Sequence, residues 1–136
     1  MALKLSLKPG ERLILGGAVV KNGGSSSCEL LIENRVPILR EKDILTEEGA
    51  DSPCRRIYYV IQLMYIDEGN LASYTRLYWN LVHDLVQAAP STVALIDAIN
   101  EQILGQRYYQ ALKLTRKLIA YEEEVLSRVS GGTENL

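Results

Sequence analysis

Two hydrophobic periodicities divide the chain. In the first 45 residues apolar and polar side chains alternate: Leu3, Leu5 and Leu7 are interleaved with Lys4, Ser6 and Lys8. A period of two is that of a strand with one buried face. Pro9-Gly10 interrupts it, since proline fixes φ and glycine accepts positive φ. Short apolar runs follow at Arg12–Leu15 and Ala18–Lys21, on either side of Gly16-Gly17. A glycine pair accommodates both positive φ angles of a two-residue hairpin turn. Asn22-Gly23-Gly24 with Ser25, Ser26 and Ser27 reads as a looser turn, and residues 28–33 and 36–40 complete a set of five short strands. Pro37 has no N–H for a ladder, so the last strand belongs at an edge or a bulge. These strands predict a small antiparallel β-meander or partial barrel, too small to be very stable alone.

Beyond residue 52 the period changes to that of a helix. Ser52-Pro53 suits an N-cap and first turn, and Ile57, Val60, Ile61 and Met64 recur on one helical face. Asp67-Glu68-Gly69-Asn70 reads as a stop followed by a new cap. Leu71, Tyr74, Tyr78, Leu81, Val82 and Leu85 define a second helix ended by Pro90. Ser91 caps a third, carrying Leu95, Ile96, Ile99 and Ile103, which Gly105 closes or weakens. Tyr108, Ala111, Leu114 or Thr115, Leu118, Tyr121 and Val125 mark a fourth, stopped by Ser130-Gly131-Gly132 and followed by a short polar tail. The fold expected is therefore α+β: the β-rich region over 1–45, a linker over 46–52, and a C-terminal helical bundle of about four helices over 53–136, packing on the sheet or forming one composite domain with it.

Composition adds exclusions. The 136 residues are 47% hydrophobic and 24% charged, with net charge −2, values of a folded chain rather than a disordered one. A polycation that coats nucleic acid wholesale is excluded, but a local basic face is not: residues 1–45 carry +2, residues 46–54 carry −3 and residues 55–136 carry −1. The longest uncharged apolar stretch, residues 13–20, is far below the roughly 20 residues of a membrane span. The opening residues lack the pattern of a secretory leader, which makes the cytosol the expected compartment, with Cys28 and Cys54 reduced.

The residues for catalysis are missing. His83 is the only imidazole, and its neighbour Asp84 points elsewhere on a helix. The two cysteines form no CxxC, so neither a metal nor another cofactor is expected. Cys54, in a first turn beside Arg55 and Arg56, suits a lowered thiol pKa or plain packing. Glu122-Glu123-Glu124 reads as a charged helix face, not a paired acid and base. No enzyme is expected. Two binding surfaces remain. Lys4 and Lys8 on the first strand and Arg40 and Lys42 after the last, with Arg12 nearby, would form one phosphate-contacting stripe if those strands pair. The same cations also serve to block edge aggregation. In the helical half, Tyr58, Tyr74, Tyr78 and Tyr108 are candidate anchors for a protein partner, or rim residues of the core.

Three stretches carry a resemblance: Leu3-Lys4-Leu5-Ser6-Leu7-Lys8-Pro9-Gly10-Glu11-Arg12, Val36-Pro37-Ile38-Leu39-Arg40-Glu41-Lys42-Asp43-Ile44, and Pro53-Cys54-Arg55-Arg56-Ile57-Tyr58-Tyr59-Val60-Ile61-Gln62-Leu63-Met64-Tyr65. In this order and spacing the chain resembles the FlbT family of flagellin-synthesis regulators, with Gly16, Cys54 and Tyr59 as local departures. The resemblance implies a cytoplasmic, non-enzymatic regulator of flagellum biogenesis. Such a regulator binds the 5′ untranslated leader of flagellin mRNA, represses its translation and promotes its decay, although some relatives favour flagellin production. It also implies an opposing partner of the FlaF family. The family supplies no RNA-contact map, so the RNA-binding candidates Lys4, Lys8, Arg12, Arg40, Lys42, Arg55 and Arg56 rest on charge and expected position. The alternative is a protein-binding adaptor whose helical half receives flagellin or the FlaF-family partner; a homo-oligomer is open to either. The front of the chain is also similar to small β-proteins of the carbon-storage regulator type, which bind untranslated leaders, although Leu7 stands where those carry a basic residue.

Overall fold

The computed structural model describes residues 2–134, with side chains through Ser127. Five strands are followed by four α-helices: β1 (Leu3–Leu7), β2 (Arg12–Leu15), β3 (Ala18–Lys21), β4 (Cys28–Ile32), β5 (Ile38–Arg40), α1 (Pro53–Ile66), α2 (Leu71–Ala88), α3 (Val93–Leu104) and α4 (Tyr108–Glu134). The α+β layout is as the periodicities require. The chain divides into two compact units, residues 1–44 with 66–68, and residues 45–65 with 69–136.

In the first unit the strands do not pair in chain order. β1 pairs with β4, and β2 lies between β3 and β5, so two small antiparallel sheets form and no barrel closes. The register sets Leu5 opposite Leu30 and Leu7 opposite Cys28 in one sheet, and Leu13 opposite Arg40 and Leu15 opposite Ile38 in the other. Leu5, Leu7 and Leu13 form the buried centre between them, with Leu15, Cys28, Leu30, Ile32 and Ile38 packed around it. Burying each such side chain contributes about 1.5–3 kcal/mol. Alternation puts Ile14 and Leu39, both buried, on the other face of the three-stranded sheet.

The turns explain how so short a chain closes. Lys8-Pro9-Gly10-Glu11 is a type II turn: the Glu11 N–H donates to the Lys8 carbonyl at 3.0 Å and Gly10 has φ +76°, the angle its third position requires. Between β2 and β3 only Gly16 is positive, at φ +57°, so the hairpin has the φ pattern of a II′ turn and not the doubly positive one its sequence allows. The stretch after β3, which reads as a loose turn, is held by Asn22. Its amide nitrogen donates to the carbonyls of Leu7 (2.9 Å) and Ser26 (3.0 Å), and its Oδ1 accepts the Gly24 N–H at 2.9 Å. Asn22→Ala, which frees all three groups, is expected to destabilise the first unit by about 2 kcal/mol, read as a lower urea midpoint with an unchanged slope.

In the second unit Ser52 caps α1 as its sequence position suggests, its Oγ accepting the Arg55 N–H at 3.2 Å. Two other expectations, on Ser91 and on the end of α4, are corrected, and that on Gly105 holds. Ser91 does not cap α3; its hydroxyl is hydrogen-bonded to Tyr121 at 2.7 Å, and α3 begins after a short 3-10 turn at Pro90–Thr92. Gly105 does close α3, but the positive φ beyond it, +58°, falls on Gln106. Finally, α4 runs through Ser130-Gly131-Gly132 to Glu134, because interior glycine costs only about 1 kcal/mol and does not forbid a helix. The polar tail at residues 135–136 lies outside the described residues. The residue just before the stretch expected as a linker is pinned: Gln62, buried in α1, binds both backbone groups of Leu45.

Candidate functional site

The pairing of β1 with β4 breaks the single stripe expected from Lys4, Lys8, Arg40 and Lys42, because β1 and β5 lie in different sheets. Lys4 instead forms an ion pair with Glu29 at 3.3 Å, across its own two-stranded sheet. What the fold assembles is a different group of cations. Arg12 begins β2, Lys21 ends β3 directly opposite it, and Arg40 ends β5 opposite Leu13. Lys42 follows Arg40, and Lys8 lies in the turn that the Asn22 backbone joins to this end of the hairpin. Five cations thus gather at one end of the three-stranded sheet, all exposed, with Glu11, Glu41 and Asp43 as the carboxylates in the same segments.

The centre of this group is the Arg12–Lys21 pair. Like charges directly opposite on one face of a sheet repel, and an anion between them removes the penalty. Both side chains lie on the face that also carries Ile14 and Leu39, whereas Arg40 shares the Leu13 face. The surface is therefore an edge that presents cations to both sides. Glu41 lies at this end too, its Oε1 accepting the Arg12 N–H at 3.3 Å. Lys21 was overlooked as a site residue in the sequence, although the two-residue Gly16-Gly17 turn fixes a hairpin register that sets it across from Arg12.

The remaining candidates are in the helical unit. Arg55 bonds to Asp51 at 3.3 Å and to Glu123, so its guanidinium is occupied; Arg56 is exposed. Of the tyrosines, Tyr58 and Tyr78 are buried, at 4% and 0% exposure. That corrects their reading as open anchors. Tyr78 donates its hydroxyl to Asn100, and burial pushes its pKa up; Tyr58 lies under the Arg116 guanidinium, 6.0 Å from its ring centre. A buried tyrosine is tolerated where such a partner exists. Tyr74 and Tyr108 are half-buried.

Cys54 is not the activated thiol its neighbours suggest. Burial and the Glu122 carboxylate push its pKa up from 9.0 to about 12, against a smaller opposing influence of Arg55. Cys54 lines, with Leu85, Ala89, Thr92, Tyr121, Val125 and others, an apolar groove of about 200 Å³. Among the described residues no cluster of three or more His, Cys, Asp or Glu side chains has metal-binding geometry, and no helix is long and apolar enough to cross a membrane.

Comparison with known proteins places this geometry in context. The family described as "Flagellar protein FlbT" matches residues 3–126. The chain is 48% identical over 125 residues to the "Probable flagellum biosynthesis repressor protein FlbT 1" of Bradyrhizobium diazoefficiens, covering 92% of this chain and 85% of that one. It is 40% identical over 134 residues to the "Flagellum biosynthesis repressor protein FlbT" of Caulobacter vibrioides, covering 97% and 94%. To the "Probable flagellum biosynthesis repressor protein FlbT" of Rhodopseudomonas palustris it is 42% identical over 128 residues, covering 94% and 100%. No solved structure matches.

Proposed function

The chain belongs to the FlbT family, and from that premise we propose that it represses flagellum biosynthesis after transcription, by binding the 5′ untranslated leader of flagellin mRNA. The relatives' names supply the repression, and the resemblance described above supplies the leader. The observation that carries the binding is the Arg12–Lys21 pair at the exposed basic end of the three-stranded sheet. Phosphates fit between two cations held in register, and such contacts give affinity without reading sequence. Repression follows if the bound leader excludes the ribosome or opens the message to decay. The working compartment is then the cytoplasm, and no step requires catalysis.

The test is a gel-shift titration of the flagellin leader across salt concentrations. Each phosphate contact to a single strand contributes about −0.7 to the slope of log affinity against log salt. Arg12→Glu with Lys21→Glu is expected to weaken binding about ten-fold or more and to flatten the slope by about 1.4. Unchanged affinity and slope in the double variant would remove this site from the reading.

One feature favours a second reading, the apolar groove of the helical unit. In that reading the chain is an adaptor that receives a helix of flagellin or of a FlaF-family partner, and its effect on the message is indirect. Co-purification with flagellin from nuclease-treated extract, with no affinity for the leader, distinguishes it.

A further inference from the structure

The helical unit carries an outward surface that the basic sheet end does not account for. On α2, Arg76, Trp79 and His83 follow one another at spacings of three and four, with Asn80 and Gln87 beside them, so they share one face of the helix. All five are exposed. Trp79, at 38% exposure, is the large aromatic among them. Its ring meets that of buried Tyr78 edge to face at 5.1 Å and 72°, and Tyr78 is itself anchored on Asn100. The indole is thus held against the core while part of it stays in water.

The chemistry of the face is selective. It carries a guanidinium, an imidazole and two carboxamides. The nearest acid on the helix, Asp84, is about 140° round from Trp79 and about 40° from Asn80, so a single carboxylate borders the amide side, and Arg76 forms no ion pair among the described residues. An acidic peptide would answer the guanidinium but leave the indole and the amides unused. A single-stranded nucleic acid uses all of them. A base stacks on the indole, the guanidinium meets a phosphate or stacks in turn, and the amides bond base edges. From Arg76 to Gln87 is about 16 Å along the axis, room for a few nucleotides.

We propose that the Arg76–Trp79–His83 face of α2 is a stacking platform for unpaired bases of the bound RNA. This rests on the RNA reading above and adds a second contact surface to it. The chain has a single tryptophan, so its intrinsic fluorescence reports this residue alone. Titrating the full-length protein with the flagellin leader is expected to quench that emission, with the same midpoint as the gel shift. Trp79→Ala is expected to weaken binding about ten-fold, and Trp79→Tyr, which keeps a stacking ring, to restore most of it. Circular dichroism checks that both variants fold. Binding in the gel shift with unchanged emission and an unaffected Trp79→Ala variant would overturn the platform and leave the RNA reading intact. Absence of any leader binding by the unaltered protein would overturn both. Equal quenching by poly-glutamate would show that the face takes acidic protein segments, and would also overturn it.

Discussion

Glu122→Ala is expected to cost the helical unit about 3 kcal/mol, read as a fall in the urea midpoint. The carboxylate, contributed by α4, closes the N-terminus of α1. One oxygen accepts from the Ser52 hydroxyl and the other accepts the Cys54 N–H at 3.1 Å, while Ser52 accepts the Arg55 N–H. The first turn of a helix leaves N–H groups without intrahelical partners and carries partial positive charge, so an anion there is stabilising twice over. Bonds to a charged group contribute about 1.5–3 kcal/mol each, and removal strands their donors. Glu122→Gln, which keeps one acceptor and loses the charge, is expected to fall between. The thiol gives a second readout. Without Glu122 one of the causes that raise the Cys54 pKa is gone, so alkylation near pH 9 is expected to quicken. The sign for stability follows from the same shift. The folded thiol titrates near 12 and the unfolded one near 9.0, so its contribution is complete below about pH 9 and is lost as pH rises from there towards 12. The unaltered protein is expected to weaken over that window by up to about 1.4 kcal/mol per pH unit from this group, and the Glu122→Ala variant over a narrower window, with a smaller total loss. Equal midpoints for all three proteins would show that α1 needs no such closure.

Gln62→Ala is the second large effect, about 3 kcal/mol. Gln62 is 3% exposed, and its amide pairs with one residue twice: Nε2 donates to the Leu45 carbonyl at 2.9 Å and Oε1 accepts the Leu45 N–H at 2.8 Å. The side chain acts as a piece of backbone, giving residue 45 both bonds that a neighbouring strand would give. Truncation leaves both Leu45 groups unpaired and removes a buried side chain from α1. Hydrogen exchange localises the loss: the Leu45 amide is expected to lose protection far more than amides in the middle of α4. A variant that matched the unaltered protein in both urea midpoint and Leu45 exchange would mean that the segment before α1 is held by other contacts.

These two residues mark where reading a chain by its periodicity stops. Alternation located β1, because a half-buried strand repeats every two residues wherever it lies, and short apolar runs on either side of a glycine pair located β2 and β3. Lys8-Pro9-Gly10-Glu11 announced its turn because proline and glycine restrict φ locally. Ser52-Pro53 announced a helix start for a similarly local reason. Pairing is a different kind of information. Nothing in Leu3-Lys4-Leu5-Ser6-Leu7 says that β4 and not β5 lies beside it, so the stripe built on a β1–β5 pair dissolved while its members at the end of β2 and β5 survived. Lys21 entered the site by register and Lys4 left it by meeting Glu29. Glu122, first in a line of three glutamates, looked like any solvated helix face; its role depends on a helix start 68 residues away in the chain. Burial separated the tyrosines in the same way, since spacing puts Tyr78 on an inward face but does not reveal Asn100 waiting for its hydroxyl.

That cap also sets a timetable for synthesis on the ribosome. The β1–β4 sheet has all its residues once Ile32 has emerged, whereas α1 cannot be closed until Glu122 follows, 68 residues after Cys54. At about 5–20 residues per second that is a delay of about 3 to 14 s. During the wait the first turn of α1 lacks the anion that closes it.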